Sequence, residues 1–258
     1  VVSGGGIVQV DVSALVLDGD DRAPGDRSAG ILLRNATGKI SENTVRDLAV
    51  GGKETFGIIV YGHSTLTIEA NSVSDYERGG IGANGDGAGA YPAPEVRITG
   101  NQVSGSTGIG EAWAPNGIQI GFGASGQIKN NTVSDNRWAA DLSSFVGAGI
   151  ILFGSGDVSV QGNHVVNADA GIVAAAGDNN RLVHNVVEDA LVGAFFSGKV
   201  NNKLTNNDLS NSLPSPNFAT YGIINVGTNN KVIANSITGF DVPIADVGIE
   251  SKIHANRP

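Results

Sequence analysis

A short pattern of apolar and polar residues recurs along the chain. An aliphatic residue stands three positions before an Asn, and in most repeats a second aliphatic residue stands two positions after it, as in Ile128, Asn131 and Val133. Alternation with a period of two predicts a short strand on each side of a corner. The Asn residues at this position are Asn43, Asn71, Asn101, Asn131, Asn163, Asn185, Asn207, Asn235 and Asn256.

A second apolar segment precedes each of these Asn residues and usually opens with Gly-Ile. It begins 13 or 14 residues before the Asn in eight of nine repeats, whereas the distance from an Asn to the next such segment varies from 8 to 18 residues. Three short strands and one variable corner make a coil of about 22 residues. Such a coil cannot bury its own apolar face, so coils must stack on one another. The absence of a sustained 3.6-residue period excludes helical and leucine-rich solenoids.

This order of strand, short turn, strand, Asn corner, strand and variable loop resembles the right-handed parallel β-helix of the pectin-lyase-like superfamily, with repeats of the NosD or PbH1 type. The resemblance covers roughly residues 30–256. It implies an all-β, single-domain solenoid of about nine coils with a buried Asn ladder. We predict a β-helix domain over 30–258, preceded by a partial coil and an acidic loop over 1–29. In-register stacking gives each buried amide partners above and below, so the Asn row is predicted to be structural.

Composition narrows the possible partners. The formal charge of −9 gives no general footprint for nucleic acid or anionic lipid. No Cys is present, which excludes disulfides and thiolate metal sites, and no apolar run reaches the length of a membrane span. The chain starts at Val1 and contains no Met, as a processed or trimmed product would. We therefore expect no nucleic-acid or membrane partner and an extracellular, secreted location.

The breaks in the repeat predict where a site lies, because binding groups collect on loops above a rigid scaffold. Long inserts at 46–56, 104–116, 134–148 and 210–221 enter the Gly-Ile strand, and an insert at 85–95 flanks its other end. These loops are expected to wall a cleft over the outer face of the Gly-Ile strands. The resemblance implies a substrate groove in the same place.

Alternation also predicts the floor of this cleft. If Ile58 and Val60 point inward, Ile59 and Tyr61 point outward. The outward positions are then polar or small in the first four coils and apolar in the last four. In order they are Leu32/Arg34, Ile59/Tyr61, Gly82/Asn84, Gln119/Gly121, Ile151/Phe153, Val173/Ala175, Phe195/Ser197 and Ile224/Val226.

Candidate chemistry concentrates in the polar coils. Similarity to the lyases and uronate epimerases of the superfamily implies a base, an acid and a cation that neutralises a carboxylate, which would be His63, Tyr61 and either Arg34 or Arg78. A hydrolase would instead use two carboxylates, for which Asp75, Asp86, Glu111 and Asp135 are candidates from neighbouring coils, with Glu77 in the densest polar cluster. Residues predicted to bind substrate are Arg34, Arg78, Asn84, Gln119, Trp113, Arg137, Trp138 and Phe153. No catalytic motif of either group is recognisable.

The leading hypothesis is a carbohydrate-active enzyme that acts on a polysaccharide, by lyase, epimerase or glycoside-hydrolase chemistry. One alternative is a small-molecule cyclase or isomerase with an aromatic-walled pocket between Trp113, Trp138 and Phe153. Another is a non-catalytic glycan-binding or structural module. No metal or other cofactor is predicted; calcium is the alternative, since the acidic groups of the coil 71–101 could hold it, although no contiguous loop has the spacing of calcium ligands. The apolar outer face and the open C-terminal end are predicted surfaces for homo-oligomerisation.

Overall fold

The computed structural model describes residues 6–20, 27–49, 52–87, 89, 91–106, 113–138, 147–197, 200–214 and 218–257. Every regular element within these ranges is a β-strand, and every strand pairs with its neighbours in parallel. The predicted all-β solenoid of parallel strands is therefore confirmed. None of the described segments forms a helix long and apolar enough to cross a membrane.

The strands are numbered in chain order and form three faces. Sheet A carries the strand that ends just before each Asn. Its members, in spatial order, are β1 (Val8–Ser13), β4 (Ala36–Ser41), β7 (Thr65–Glu69), β10 (Glu95–Thr99), β13 (Ser125–Lys129), β16 (Ser159–Gln161), β18 (Arg181–Val183), β20 (Lys203–Thr205), β23 (Lys231–Ile233) and β26 (Lys252–His254).

The other two faces are joined in one sixteen-stranded sheet. Face B follows the Asn corner and contains β2 (Val16–Asp18), β5 (Thr44–Arg46), β8 (Ser72–Ser74), β11 (Gln102–Ser104), β14 (Thr132–Asn136), β21 (Asp208–Ser210) and β24 (Ser236–Thr238). Face C contains the Gly-Ile strands β3 (Arg27–Arg34), β6 (Glu54–Tyr61), β9 (Gly79–Asn84), β12 (Asn116–Gly121), β15 (Ala148–Phe153), β22 (Tyr221–Asn225) and β25 (Val242–Asp246). The faces fuse in β17 (His164–Ala175) and β19 (Val186–Ser197), where the coil has no insert.

The core runs along the axis of the solenoid and consists of stacked aliphatic side chains. The aliphatic residue three positions before each Asn pairs in register with its counterpart in the next coil, as Ile40 does with Ile68 and Ile68 with Ile98. All of these side chains except Ile253, which is partly buried, are fully buried. Each contributes about 1.5–3 kcal/mol through burial, so the repeated pattern is also the main stabilising term.

The Asn ladder is continuous from Asn43 to Asn256. In each rung the backbone N–H and Nδ2 donate to Oδ1 of the next Asn, over 2.9 Å in both bonds from Asn101 to Asn131. The same Nδ2 also donates to a main-chain carbonyl, such as Ile68 O at 3.0 Å from Asn101. At the last rung Asn235 donates to Asn256. The buried amides thus pair with one another, which confirms the structural role predicted for the row.

A second buried Asn row lies at the corner between face C and sheet A. The backbone N–H of Asn180 donates to Oδ1 of Asn202, and that of Asn202 to Oδ1 of Asn230, at 3.0 and 2.9 Å. This row was not predicted from the sequence, because only the later coils carry it. In earlier coils a Ser takes its place at this corner: Ser64 accepts from the backbone N–H of Ala36, and Ser155 donates to the Ile120 carbonyl oxygen. The signal was the repeated Asn-Asn pair followed by a basic and an aliphatic residue.

The N-terminal segment continues the same architecture. β1 and β2 pair in parallel with β4 and β5, so they form a partial coil stacked on the first complete one. The acidic loop predicted to follow lies partly outside the described residues. The boundary at residue 30 stays a prediction.

Candidate functional site

The groove lies over the outer face of C in the N-terminal coils. The pairing register places Leu32, Ile59, Gly82, Gln119 and Ile151 in one row, and Arg34, Tyr61, Asn84, Gly121 and Phe153 in the next, as alternation predicts. Two adjoining clefts of about 440 and 360 Å³ share Tyr61, Asn84, Gly85 and Asp86 and form one groove. Its other lining residues are Arg27, Leu32, Arg34, Glu54, Phe56, Gly62, Arg78, Tyr91, Pro92, Gln119 and Phe122.

Tyr61 occupies the centre of the groove, at the end of β6, and lines both clefts. Partial burial, the largest effect, raises the pKa of its phenol, and so does the charge of Glu54. The charges of Arg27 and Arg78 and a hydrogen bond with Asn84 lower the same pKa. Because the raising effects prevail, the phenol is protonated at neutral pH. Tyr61 is thus arranged as a proton donor rather than a phenolate.

Arg78 stands where the chain enters β9, and its Nη1 donates to the Ala114 carbonyl oxygen at 2.8 Å. Burial lowers the pKa of the guanidinium, and Glu54 and Tyr61 raise it. Guanidinium keeps its charge at neutral pH even so, and partial removal from water strengthens its attraction for an anion. Glu54 also forms an ion pair with the exposed Arg27.

The groove is more positive than the chain as a whole. Its lining holds Arg27, Arg34 and Arg78 against Glu54 and Asp86, a local balance of +1, whereas the chain carries −9. Opposite charges outside the groove do not cancel this local field, because salt screens interactions beyond about 8–10 Å. The groove is therefore suited to an acidic ligand.

A line of amides completes the floor. The side-chain amides of Asn116 and Gln119 lie 3.1 Å apart, and the Asn116 amide oxygen accepts from Arg78 Nη1 at 2.8 Å. Gln119 Nε2 donates to Asn84 Oδ1 at 2.8 Å. The side chains of Asn84, Asn116 and Gln119 are all buried. Asp86 organises one wall, because its carboxylate accepts from the backbone N–H groups of Gly89 and Tyr91.

His63 lies beside the groove rather than on its floor. It is exposed and lines an adjacent cleft of about 250 Å³ together with Arg34, Tyr91 and Pro92, which also line the groove. Its backbone N–H donates to Asn35 Oδ1 at 3.0 Å, which fixes the turn after β6. The imidazole therefore borders the end of the groove that Tyr61 and Arg34 share.

Other predicted site residues have structural partners instead. Glu77 is 2% exposed, and its carboxylate accepts from the N–H groups of Gly52 and Lys53 at 2.9 and 3.1 Å. It anchors the loop before β6 and does not line the groove.

Asp75 and Asp135 stand at the corner that leaves face B, in left-handed conformation with φ of 54° and 60°. Asp135 accepts from Asn167 Nδ2 at 2.6 Å and Asp75 from Ser106 Oγ at 3.3 Å. Arg137 is buried at the same corner, where it donates to Asn167 and to the Asp189 carbonyl oxygen. Burial lowers the pKa of Arg137, and Asp169, Asp189 and Asp135 raise it. Asp135 and Arg137 are joined through Asn167, whereas Asp75 bonds to Ser106 at the same corner of another coil. None of these three predicted residues lines the groove.

The aromatic candidates are divided. Phe153 is 42% exposed and packs edge-on against Phe122 with ring centroids 5.3 Å apart, next to the groove that Phe122 lines. Trp113 is exposed at 36%, and Trp138 is partly buried with its backbone N–H bonded to Asp169 Oδ2. Neither Trp lines the groove, and Glu111 lies outside the described residues.

Arg27, Glu54 and Phe56 line the groove but were not predicted to, because the alternation of inward and outward residues shifts by one position within the strand. A Cβ on Gly57 would lie 2.2 Å from a methyl of Val73 and 2.7 Å from the Gly80 carbonyl oxygen, so this position faces the interior. Ile58 also faces inward, since it is fully buried in the core. Because Gly57 and Ile58 both face inward, the alternation shifts by one residue at this point. Phe56 and Glu54 therefore face outward at even-numbered positions, whereas Ile59 and Tyr61 face outward at odd-numbered positions. The repeated Gly was the signal for this change.

The described residues contain no group of three or more His, Asp or Glu side chains arranged to hold a metal. The groove offers two partly desolvated polar groups, Tyr61 and Arg78, within a frame of amides and further Arg side chains.

Comparison with solved structures finds the same fold in carbohydrate-related proteins at low identity. A double mutant of the periplasmic alginate epimerase AlgG superposes with a TM-score of 0.65 at 17% identity, over 86% of this chain and 50% of that one. XylC in complex with xylose gives 0.51 at 14%, over 80% and 38%. DFA-IIIase from Arthrobacter chlorophenolicus A6 without its lid gives 0.50 at 12%, over 86% and 65%. The chain thus spans about half the length of the epimerase.

Comparison with curated protein sequences finds no match. A family model described as "Right handed beta helix region" matches residues 56–238. This range contains the ladder from Asn71 to Asn235 and most of the groove. The chain therefore belongs to the right-handed beta helix family.

Proposed function

We propose that the protein is a carbohydrate-active enzyme that binds an acidic polysaccharide in the groove and acts on it by lyase or epimerase chemistry. The observation that carries the proposal is the placement of Arg78, a partly desolvated cation, next to the protonated phenol of Tyr61 on the floor of one groove. The likeness to a periplasmic alginate epimerase supports the same substrate class and a secreted or periplasmic location.

The proposed reaction starts at a sugar carbon bonded to both hydrogen and a carboxylate. A base removes the proton, and the electron pair moves into the carboxylate, which then carries additional negative charge. Arg78 or Arg34 stabilises that charge, because a preorganised cation in a partly water-excluded site stabilises the transition state more than the ground state. Return of a proton to the opposite face gives the epimer, whereas expulsion of the neighbouring glycosidic oxygen gives a chain with a double bond.

We assign proton donation to Tyr61, because its raised pKa keeps the phenol protonated. His63 is assigned as the base, since its imidazole borders the groove and histidine is the side chain that most often serves as a general base. Asn84 and Gln119 are assigned to orient the sugar, because they present amide groups on the floor.

Hydrolase chemistry is less well supported. It needs two carboxylates on opposite sides of the scissile bond. Asp75 and Asp135 accept from Ser106 and Asn167 at the corners of their coils, and Glu77 accepts from backbone N–H groups. Among the described lining residues the groove holds Glu54 and Asp86, of which Glu54 is paired with Arg27 and Asp86 holds a loop.

The test uses a panel of acidic and neutral polysaccharides in D2O, followed by NMR. An epimerase or lyase incorporates deuterium at the carbon beside the carboxylate or forms a double bond, whereas a hydrolase produces only reducing ends. Tyr61→Phe is expected to lower the rate by about 100-fold or more, and Arg78→Gln by a similar factor. Arg97→Gln, on the outer face of sheet A, is the control for loss of a positive charge.

Wild-type activity in both groove variants would overturn the proposal. Turnover of neutral chains alone, with new reducing ends and no deuterium uptake, would favour a hydrolase. Binding of acidic chains without any chemical change would favour the glycan-binding alternative.

A further inference from the structure

A row of positive side chains runs along sheet A in the C-terminal coils, on a different face from the groove. Arg181 pairs in register with Lys203, Lys203 with Lys231, and Lys231 with Lys252. Neighbouring strands lie about 4.8 Å apart, so the four cations span about 14 Å in a straight line. We call these four residues the cationic row.

The cationic row faces solvent. In each strand the residue after the cation is a buried core aliphatic: Leu182, Leu204 and Val232 are fully buried and Ile253 packs against the core. By alternation the cation points away from the core, and so does the residue two positions later. Arg181 and Lys252 are exposed, and Lys203 and Lys231 are partly exposed.

No acidic residue on the same strands balances these charges. The sequences of β16, β18, β20, β23 and β26 contain no Asp or Glu. No member of the cationic row forms a salt bridge within the part of the chain that the structure describes. The adjoining corner carries Asn179, Asn201 and Asn229 beside the row, with Asp157 and Glu250 at its two ends. Asp178 also lies at this corner, three positions before Arg181, and its carboxylate accepts from the backbone N–H of Val200 at 3.1 Å.

The N-terminal half of the same sheet differs in charge. There Lys39 pairs with Glu69 at 2.6 Å, and Arg97 shares its strand with Glu95. Like charges directly opposite one another in a sheet are destabilising, by up to about 1 kcal/mol for each pair. The C-terminal half thus carries a repeated unfavourable interaction that the N-terminal half avoids, in a chain whose overall charge is negative.

We propose that the cationic row is a second binding surface, for a linear acidic polysaccharide that lies along the axis of the solenoid. A chain with one carboxylate on each sugar ring repeats its charge at the length of a ring, which is comparable with the rise of one coil. Charge complementarity with such a ligand converts the repulsion within the row into binding. This surface is independent of the chemistry proposed for the groove.

Two other polyanions fit the row less well. A single-stranded nucleic acid is held by aromatic stacking as well as by charge. The outward neighbours of the cations are Val183, Thr205, Ile233 and His254, which include no Phe, Tyr or Trp. A membrane surface is flat and extends well beyond one row, and the strongly negative remainder of the molecule would be repelled by it.

The experiment measures binding of a size-defined oligouronate by calorimetry at low salt, in a background of Tyr61→Phe and Arg78→Gln that weakens binding in the groove. The test variant is Lys203→Gln with Lys231→Gln. The matched control is Lys39→Gln with Lys129→Gln, which makes the same change in net charge on the N-terminal half of sheet A. A neutral oligosaccharide of equal length, a single-stranded oligonucleotide and anionic phospholipid vesicles serve as competing ligands.

We expect the test variant to bind the oligouronate about tenfold more weakly with a shallower salt dependence, and to unfold at a urea concentration no lower than the background protein does. The control is expected to keep the affinity of the background. The proposal is overturned by equal losses in test and control, by tighter binding of the oligonucleotide or the vesicles, or by absence of oligouronate binding at low salt. Because every measurement is made in the groove-variant background, failure here is distinguishable from failure of the proposed activity.

Discussion

The outer surface of face C has two halves that share one backbone register but differ in the size and polarity of their side chains. In the polar half, over β3, β6, β9 and β12, small residues and amides leave a groove with Tyr61 and Arg78 on its floor. In the apolar half, over β15, β17, β19 and β22, Val173 and Val192 are buried on the outside, with Ile151, Phe195 and Ile224 packed around them. A parallel β-helix thus supplies the same scaffold twice, and side-chain size decides whether a coil carries a site or a closed surface.

If the halves share one scaffold, breaking the ladder should cost the same in each. Asn101→Ala and Asn207→Ala each remove an Oδ1 that accepts two bonds of 2.9 Å from the preceding Asn. Two buried donors lose their acceptor, so we expect the free energy of unfolding to fall by about 3 kcal/mol or more in both variants. Urea unfolding measures this, and a clearly smaller loss at Asn207 would mean that the apolar half has a different source of stability.

Substitutions at one register position should distinguish the two halves, since Gln119 and Phe195 occupy the same row. Phe195→Ala is expected to lower the free energy of unfolding by about 2 kcal/mol without changing oligosaccharide binding, because its ring packs against the apolar cluster that contains Val173 and Val192. Gln119→Ala is expected to weaken binding by about tenfold and to cost less stability. Unfolding and calorimetric titration of both variants check this. Loss of binding in Phe195→Ala would place part of the site in the apolar half.

The buried phenol of Tyr76, beneath the polar half, should make the stability of the protein depend on pH. It is fully buried, its hydroxyl donates to Asn136 Oδ1 at 2.7 Å, and burial raises the pKa of its phenol far above the ordinary 10.0. The protonated phenol therefore contributes stability that is full below pH 10.0 and is lost as the pH rises through the raised folded value.

We expect the unfolding midpoint to fall above about pH 10 and the fall to be weaker in Tyr76→Phe, which costs about 1 kcal/mol at neutral pH. Tyr61→Phe is the control for an outer, partly buried phenol. An identical pH profile in wild type and Tyr76→Phe would contradict this assignment.

The smallest expected effect concerns the residue before each ladder Asn. Ala70 in the polar half and Ala234 in the apolar half are left-handed, with φ of 53° and 56°, as is Gly100 at 64°. Because Gly adopts this conformation without strain, Ala70→Gly and Ala234→Gly should each raise the free energy of unfolding by about 1 kcal/mol. Gly100→Ala should lower it by a similar amount, although a Cβ there would meet no atom within 4 Å. A null effect at Gly100 would show that the corner tolerates Ala without strain.

Much of the scaffold was predictable because stacking requires the same pattern of aliphatic and Asn residues in every coil. The spacing of Ile128 and Asn131 identified the ladder, and alternation from Ile58 identified the outward row of Tyr61. The outward row did not predict burial, however. Ile59 faces outward yet is 1% exposed, because it fills the space above Gly82, where a Cβ would lie 2.4 Å from its Cδ1.

The candidate site was predictable only in part. Tyr61, Arg78, Asn84, Asp86 and Gln119 line the groove because they stand on or just beyond regular strands. Asp75 and Asp135 do not, because one left-handed residue at a corner turns the side chain toward the neighbouring coil. This change in side-chain direction results from the left-handed backbone conformation, which the spacing of charged residues does not predict.

The ladder has a consequence for how such a chain changes length. Its amides all point the same way, and Asn163, Asn185 and Asn207 are separated by 22 residues with no insert. Excision of residues 164–185 would leave Asn163 followed by Val186, whose strand takes the same register as the one removed. A single duplication or deletion of that segment therefore lengthens or shortens the rod by one rung while preserving the donor-to-acceptor order. Length is the property of this molecule that evolution, or a designer, can alter in whole steps.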